Sequence, residues 1–481
     1  MSTHRSATFL ALLAAALLAA LCGCVNRGGW QAAPQLAPAQ LTVDRILTGM
    51  PVDAAAWPAD GWWRSFGDSQ LDALVAEAIA GSPSLIAAEA RLRAAQGQAL
   101  AVSAVKLPNV ALDAQATRQR YPENDVYPPP YAGNYYNDGR VALDLSYDID
   151  FWGRNRALLA AARSGVDAAE ADRAAARLAL AVAVVRAYVQ LDLWYSLLDV
   201  ANEQLKQQTS IMELTQQRVD AGLENVARVK QSEASLAFAR AGIAAAQANI
   251  DLARNQLGAL VGAGPDRGRA LARPQLTAPA TIALPSALPA DLLGRRPDVA
   301  AARAEVQGAA QGIKAAEADF YPNVNLAAFA GLQAIGLDKV FEGSATIVGA
   351  TPALSLPLFN RRQLRGALEA RQAQFDASVG QYNQTLIGAV HDVADVVTNW
   401  RALERESAEQ QTALAAAQRA YDLTTERYRA GLDNYLTVLS TENQLLLAQA
   451  AGAELTAQRL TFSVDLVRAL GGGYTPPAPA G

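Results

Sequence analysis

The sequence predicts a mainly helical fold with a four-stranded transmembrane β part, laid out as two similar halves. Three observations carry this. Two very long stretches, 154–219 and 361–429, contain no proline. Four shorter stretches alternate apolar and polar residues. Residues 218–225 read RVDAGLEN and residues 427–434 read RYRAGLDN, so the chain repeats itself.

Composition sets the frame. The chain has 481 residues, 51% of them hydrophobic, 18% charged and 6% aromatic, with a net charge of −5. Alanine dominates the apolar set, which suits closely packed helices. A net negative chain is a poor partner for nucleic acid, because phosphate neutralisation needs a basic surface. Two histidines and two cysteines leave almost nothing for a zinc site or a disulfide framework.

The first element is an export signal. His4 and Arg5 precede an apolar run from Ala7 to Leu21, too short to span a bilayer and right for a signal peptide over residues 1–23. The run ends in Leu21-Cys22-Gly23-Cys24, which resembles a bacterial lipobox. That predicts Cys24 as the lipidated first residue of the mature chain, carrying diacylglycerol and an N-acyl chain such as palmitate. Val25 follows, where an Asp would favour retention at the inner membrane. Residues 24–68 form a proline-punctuated segment after the anchor. No later stretch reads as a transmembrane helix, since Arg186 interrupts the best candidate, Ala179–Val189.

The first repeat spans 69–262. Pro83 opens a helix that ends near Pro108. A strand is expected over 109–118, with Val110, Leu112, Ala114 and Ala116 on one face. A second is expected over 140–152, with Val141, Leu143, Leu145, Tyr147 and Ile149 opposite Arg140, Asp144, Asp148 and Asp150. A helical hairpin then fills 154–262, and its first arm would reach about 100 Å at 1.5 Å per residue. The return arm carries Leu236, Ile243, Ile250 and Leu257 at seven-residue spacing, a coiled-coil signature. A Pro/Gly-rich linker covers 263–296. The second repeat, 297–470, has strands expected over 323–333 and 347–359 and a helical hairpin over 361–470. Pro352 and Pro357 weaken its last strand, because proline is confined to edges, ends or bulges. Residues 471–481 form the tail.

Each strand is long enough to cross a bilayer at a tilt, and tyrosines and tryptophans flank both ends, as in outer-membrane barrels. Four strands cannot close, and open edges in lipid are prohibitively costly. The chain must therefore oligomerise, as a dimer with eight strands or a trimer with twelve. Asp144, Asp148 and Asp150 would then line the lumen. The tight reversals at Gly222-Leu223 and Gly431-Leu432 need a residue tolerant of positive φ.

Trp62-Trp63-Arg64-Ser65-Phe66, YDIDFWGR (147–154), Arg295-Arg296-Pro297-Asp298 and RYRAGLDNYLTVL (427–439) together resemble the TolC-like outer-membrane efflux channels, in particular their lipidated OprM/NodT branch. The resemblance implies a homotrimer in which a twelve-stranded barrel continues as a twelve-helix periplasmic tunnel. It implies the exit duct of a tripartite efflux pump for drugs or other small molecules, with a periplasmic adaptor and an inner-membrane transporter of the RND type as partners. Gly222, Leu223, Gly431 and Leu432 would be the adaptor-docking tips. Leu436 matches an apolar gate position, and Ser440 stands where relatives often carry an acid. Tyr428 matches a tyrosine that ties the tip helices together, and Arg228 and Lys230 could contact Asp433 or Glu224. Two rivals remain at this stage: a polypeptide-secretion exit and a non-conducting coiled-coil envelope lipoprotein.

An enzyme is not expected. The chain has no GxSxG elbow, HExxH helix or P-loop. His391 beside Asp392 has no nucleophile or metal partner, so no catalytic residue, metal or cofactor is assigned.

Overall fold

The computed structural model describes residues 29–51, 53, 57–124, 126–277, 284–285, 294–357 and 359–476. Cys24 lies outside the described residues. The principal helices are α1 (Ser69–Gly81), α2 (Pro83–Ala104), α3 (Arg154–Asp220), α4 (Val226–Leu260), α5 (Pro297–Ala318), α6 (Arg361–Arg429) and α7 (Tyr435–Ala469). The strands are β1 (Asn109–Arg120), β2 (Tyr135–Ile149), β3 (Asn323–Ile335) and β4 (Thr346–Ser355). The chain divides into two compact units, one of residues 1–35, 92–169 and 302–382, the other of 36–91, 170–301 and 383–481.

The first unit holds an antiparallel sheet in the order β1-β2-β3-β4. Its register puts Leu112 opposite Leu143 and Leu143 opposite Ala330, with Ala330 in turn opposite Val348. Residues directly opposite share a face, so these side chains form one apolar surface. Nothing among the described residues covers most of it: Leu112 is 70% exposed and Val348 80%. A sheet in water would hide such residues, whereas one in hydrocarbon presents them. Asn109, Asp144 and Asn325 lie on the opposite, polar face. Within this chain β1 and β4 are the sheet's outer strands, each with one unpaired side. Pro352 is accommodated because β4 is such an edge. β2 starts five residues before the alternation predicts, drawing Tyr135 and Tyr136 into the pairing with β1.

The same unit packs α5 against the starts of α3 and α6. Ile313, Ala316 and Leu368 form its helical core with Trp30, Phe320 and Phe375. Trp30 donates its indole N–H to Asp376 (2.8 Å). Small residues allow close approach: a Cβ on Gly308 would lie 3.4 Å from that of Ser164.

The second unit has a larger core. Trp62, Trp63 and Phe66 pack with Leu71 and Leu74 of α1, Val184, Val185, Tyr188 and Leu191 of α3, Ile250 and Leu257 of α4, and Leu460 and Val464 of α7. The seven-spaced residues Leu236, Ile250 and Leu257 are buried, as coiled-coil seam positions should be. Asp68 caps α1 by accepting the Gln70 N–H (2.8 Å) and also accepts the Tyr188 hydroxyl (2.8 Å). Buried Arg296 joins Asp298 (2.6 Å) to Asp392 (2.9 Å), and Arg295 lies over the Trp57 ring (4.7 Å). The Arg295–Asp298 motif is thus an anchoring device. Contrary to the sequence expectation, α3 does carry an 18-residue window apolar enough to cross a membrane, of mean hydropathy 1.5. Half of that window is buried within the chain, which is what a core helix of this unit requires.

Candidate functional site

Two helix reversals in the second unit are built alike. α3 ends with Gly222 at φ +73°, and the Leu223 N–H reaches back to the Arg218 carbonyl (2.8 Å) while Gly222 N–H reaches Val219 (2.9 Å). α6 ends with Gly431 at φ +75°, with Leu432 N–H on Arg427 (2.9 Å) and Gly431 N–H on Tyr428 (3.1 Å). Both are Schellman caps, in which only glycine takes the left-handed position without strain. Each next helix is then capped by asparagine: Asn225 accepts the Arg228 N–H and Asn434 the Thr437 N–H. In such caps the residue after the glycine commonly packs back onto its helix. Here Leu223 and Leu432 are each 67% exposed, so both turns present a leucine outward.

Tyr428 is fully buried between these turns. Its hydroxyl lies 3.3 Å from Thr215 Oγ1, and Arg218 sits over its ring (4.8 Å) while donating to its carbonyl (3.0 Å). Tyr428 therefore ties α6 to α3 by three contacts. Arg218, inside the first repeat tract, escaped selection from sequence because its partner is 210 residues away. Arg228 pairs with Glu224 (3.9 Å) and donates to Gln231 (2.8 Å), and Lys230 pairs with Glu233 (2.9 Å). Asp433 pairs with Arg427 (3.3 Å). Hydrogen bonds from Asn434 N–H and Thr437, together with Arg427, hold its carboxyl below the usual range. Within one chain, neither Arg228 nor Lys230 is paired with Asp433.

On α7, Leu436, Ser440, Asn443 and Leu447 are exposed along one stripe, while Tyr435, Val438, Glu442 and Leu445 turn inward. The outward stripe is free to meet a neighbour or a lumen. Glu442 is the unexpected member of the inward set. It is fully buried and accepts from Gln208 Nε2 (2.6 Å), while its other oxygen and Ser232 Oγ have no partner among the described residues. Burial pushes its carboxyl up to about 7. The sequence hides this group because Glu442 occupies an apolar heptad position between Val438 and Leu445.

On the polar sheet face, Asp144 is clasped by Arg140 through two hydrogen bonds (2.8 and 2.6 Å), and Arg140 lies 5.8 Å from the Phe329 ring. Asp148 accepts from Asn323 (3.5 Å). Asp150 departs from the expected lumen trio. It lies one residue past β2, and its carboxylate accepts the N–H groups of Asn155 (3.0 Å) and Arg156 (2.9 Å), capping the first turn of α3. The alternation simply stops before it. No group of three or more His, Cys, Asp or Glu side chains suited to a metal occurs among the described residues.

Comparison with known proteins agrees with this geometry. The family described as outer membrane efflux protein matches residues 74–263 and 288–472. The fusaric acid resistance protein FusA of Burkholderia cepacia is 40% identical over 373 residues, covering 76% of this chain and 69% of that protein. The multidrug resistance outer membrane protein MdtP of Shigella flexneri is 33% identical over 457 residues, 92% of this chain and 91% of that protein. Among solved structures, the outer membrane protein VceC of Vibrio cholerae superposes with a TM-score of 0.81 at 38% identity, covering 87% of this chain and all of that one. The outer-membrane channel OprN gives a TM-score of 0.82 at 27% identity, with 92% and 99% covered. An apolar sheet face with unpaired edges, paired glycine turns and these likenesses have one explanation: the chain belongs to the outer membrane efflux protein family.

Proposed function

We propose that this outer-membrane efflux channel works as a homotrimer, lipid-anchored at Cys24, in a tripartite pump with a periplasmic adaptor and an inner-membrane transporter of the RND type. The family likeness supports three copies, and the observation that carries assembly from several is the sheet. Its exposed apolar face belongs in lipid, yet β1 and β4 each leave a row of backbone groups that lipid cannot satisfy. Three copies joined edge to edge form a closed twelve-stranded barrel, with Asp144 and Asp148 on its lumen side. The two halves act as an internal repeat, so three chains behave like six similar units around the tube.

The turns at Gly222-Leu223 and Gly431-Leu432 serve as the adaptor-docking tips, and their exposed leucines supply the apolar contact. Leu436 and Ser440 face the pore and form its constriction, with Tyr428 and Arg228 holding the surrounding helices. With Ser440 in place of a carboxylate, closure rests on apolar contact and not on a ring of acids. Substrates are small molecules that the transporter selects, and the duct passes them without chemistry.

Planar-bilayer recording tests the constriction. Leu436→Ala raises closed-state conductance several-fold above that of the wild-type channel. Unchanged conductance in a correctly assembled variant contradicts the assignment.

A further inference from the structure

α7 carries the constriction stripe on one side and Glu442 on the other. Leu436 and Ser440 point outward and are exposed. Glu442 follows Ser440 by two residues, about 200° around the helix, and is fully buried, with Gln208 of α3 bonded to it and Tyr421 of α6 close by. Whatever fixes Glu442 therefore fixes the roll of α7 and the direction of that stripe. Two further bonds tie α7 to α6 in the same stretch: Thr441 Oγ1 with Thr424 Oγ1 (2.8 Å), and Gln410 Nε2 to the Ala448 carbonyl (2.6 Å). Neither of those can gain or lose a proton near neutral pH, and the tie to α3 can.

In that tie Gln208 Nε2 donates to Glu442 Oε2 (2.6 Å). The other oxygen of each group, Glu442 Oε1 and Gln208 Oε1, is shut off from water and has no partner among the described residues. With Glu442 charged, two acceptors are buried without a donor, which costs free energy. A protonated carboxyl has one O–H to donate. An acid and an amide are complementary: the amide N–H binds one carboxyl oxygen, and an O–H on the other binds the amide carbonyl. One proton thus serves both orphaned oxygens and turns a single bond into a closed pair. No charge competes for it. From α6 the titratable group facing the carboxyl is Tyr421, which burial pushes up to about 12 and keeps neutral. Arg429 and Asp422 act on Tyr421 and not on Glu442. Burial and Gln208 set the proton affinity of Glu442, with no charged group of α3, α4 or α6 contributing, and its carboxyl is pushed up to about 7.

We propose that Glu442 and Gln208 form a proton-operated latch between α3 and α7: the protonated pair holds the Leu436 stripe in its constricting position, and loss of the proton to water frees α7 to turn. The latch rests on the reading that α7 lines the constriction, and it adds the regulation of that site. The latched form binds a proton that the released form, near the ordinary 4.5, gives up. The released share therefore grows up to about tenfold per pH unit from 4.5 to about 7 and then levels off.

Planar-bilayer recording of the full-length channel at pH 5 and pH 8 tests it. Wild-type closed-state leak rises about tenfold between the two. Glu442→Gln, whose amide pairs with Gln208 at any pH, stays at the low value throughout. Exchanging the partners, Gln208→Glu with Glu442→Gln, restores the rise, which a group needed only for packing would not do. A wild type indifferent to pH overturns the latch, and so does a Glu442→Gln channel that follows pH as the wild type does; these two comparisons decide the matter if the exchange variant fails to fold. An assembled exchange variant that stays flat overturns it as well. Leu436→Ala, recorded alongside, separates the two readings. Leak raised by Leu436→Ala beside a wild type indifferent to pH sinks the latch alone. Leak unchanged by Leu436→Ala, beside a wild type that follows pH and a flat Glu442→Gln, sinks the Leu436 assignment and leaves the latch standing.

Discussion

Glu442 shows what one side chain can do to the tip of this protein. Its carboxyl rises from the ordinary 4.5 to about 7 because burial penalises the charged form, with only Gln208 to offset it. The folded chain thus holds a proton between pH 4.5 and 7 that the unfolded chain releases. Stability from this group is complete below pH 4.5 and is lost as pH rises to about 7, where it levels off. Glu442→Gln removes the dependence. The variant matches the wild type at pH 4 and exceeds it at pH 8, by up to about 3 kcal/mol. Denaturation midpoints of the helical signal across that range check this, and parallel curves for the two proteins count against it. Tyr421, the titratable neighbour on α6, is itself pushed up to about 12 by burial and stays neutral throughout.

At the scale of elements, the two Schellman turns make a sharper statement. Gly222 and Gly431 have open space or only a distant Arg218 atom where a Cβ would go. Replacement by alanine is therefore opposed by backbone conformation and not by a clash. Each Gly→Ala change costs about 1 kcal/mol of local stability, and the frayed turn misplaces Leu223 or Leu432. We expect both single variants to assemble normally and to lose drug resistance in a susceptibility assay, with the double variant worse than either. Full resistance in the double variant removes these turns from the docking surface. Much at this scale is legible in sequence, because period two and period seven are local signals. β1 is found at Asn109–Arg120 where the alternation predicts 109–118, and β3 at Asn323–Ile335 where it predicts 323–333. Signals that depend on distant partners are not legible. Asp150 reads as one more outward carboxylate until the turn after Ile149 converts it into a helix cap. Glu442, Gln208 and Arg218 look like ordinary polar residues on helices until their partners across the bundle are known.

For the molecule as a whole, the energetic problem is the sheet. An isolated four-stranded sheet with Leu112, Leu143 and Val348 bare on one face is unstable in water through its side chains and unstable in lipid through its edges. Only closure with further strands satisfies both demands, and the exposed flanks of α3, α4, α6 and α7 ask for neighbours in the same way. That the sheet needs further strands follows from its residues; that copies of the chain supply them, three in all, is the proposal, and its number rests on the family resemblance, because eight strands would close as well as twelve. The most direct test is the native mass of the detergent-solubilised mature protein. The account predicts a single species of three chains that carries a strong sheet signal. A stable monomer, or a dimer, contradicts it.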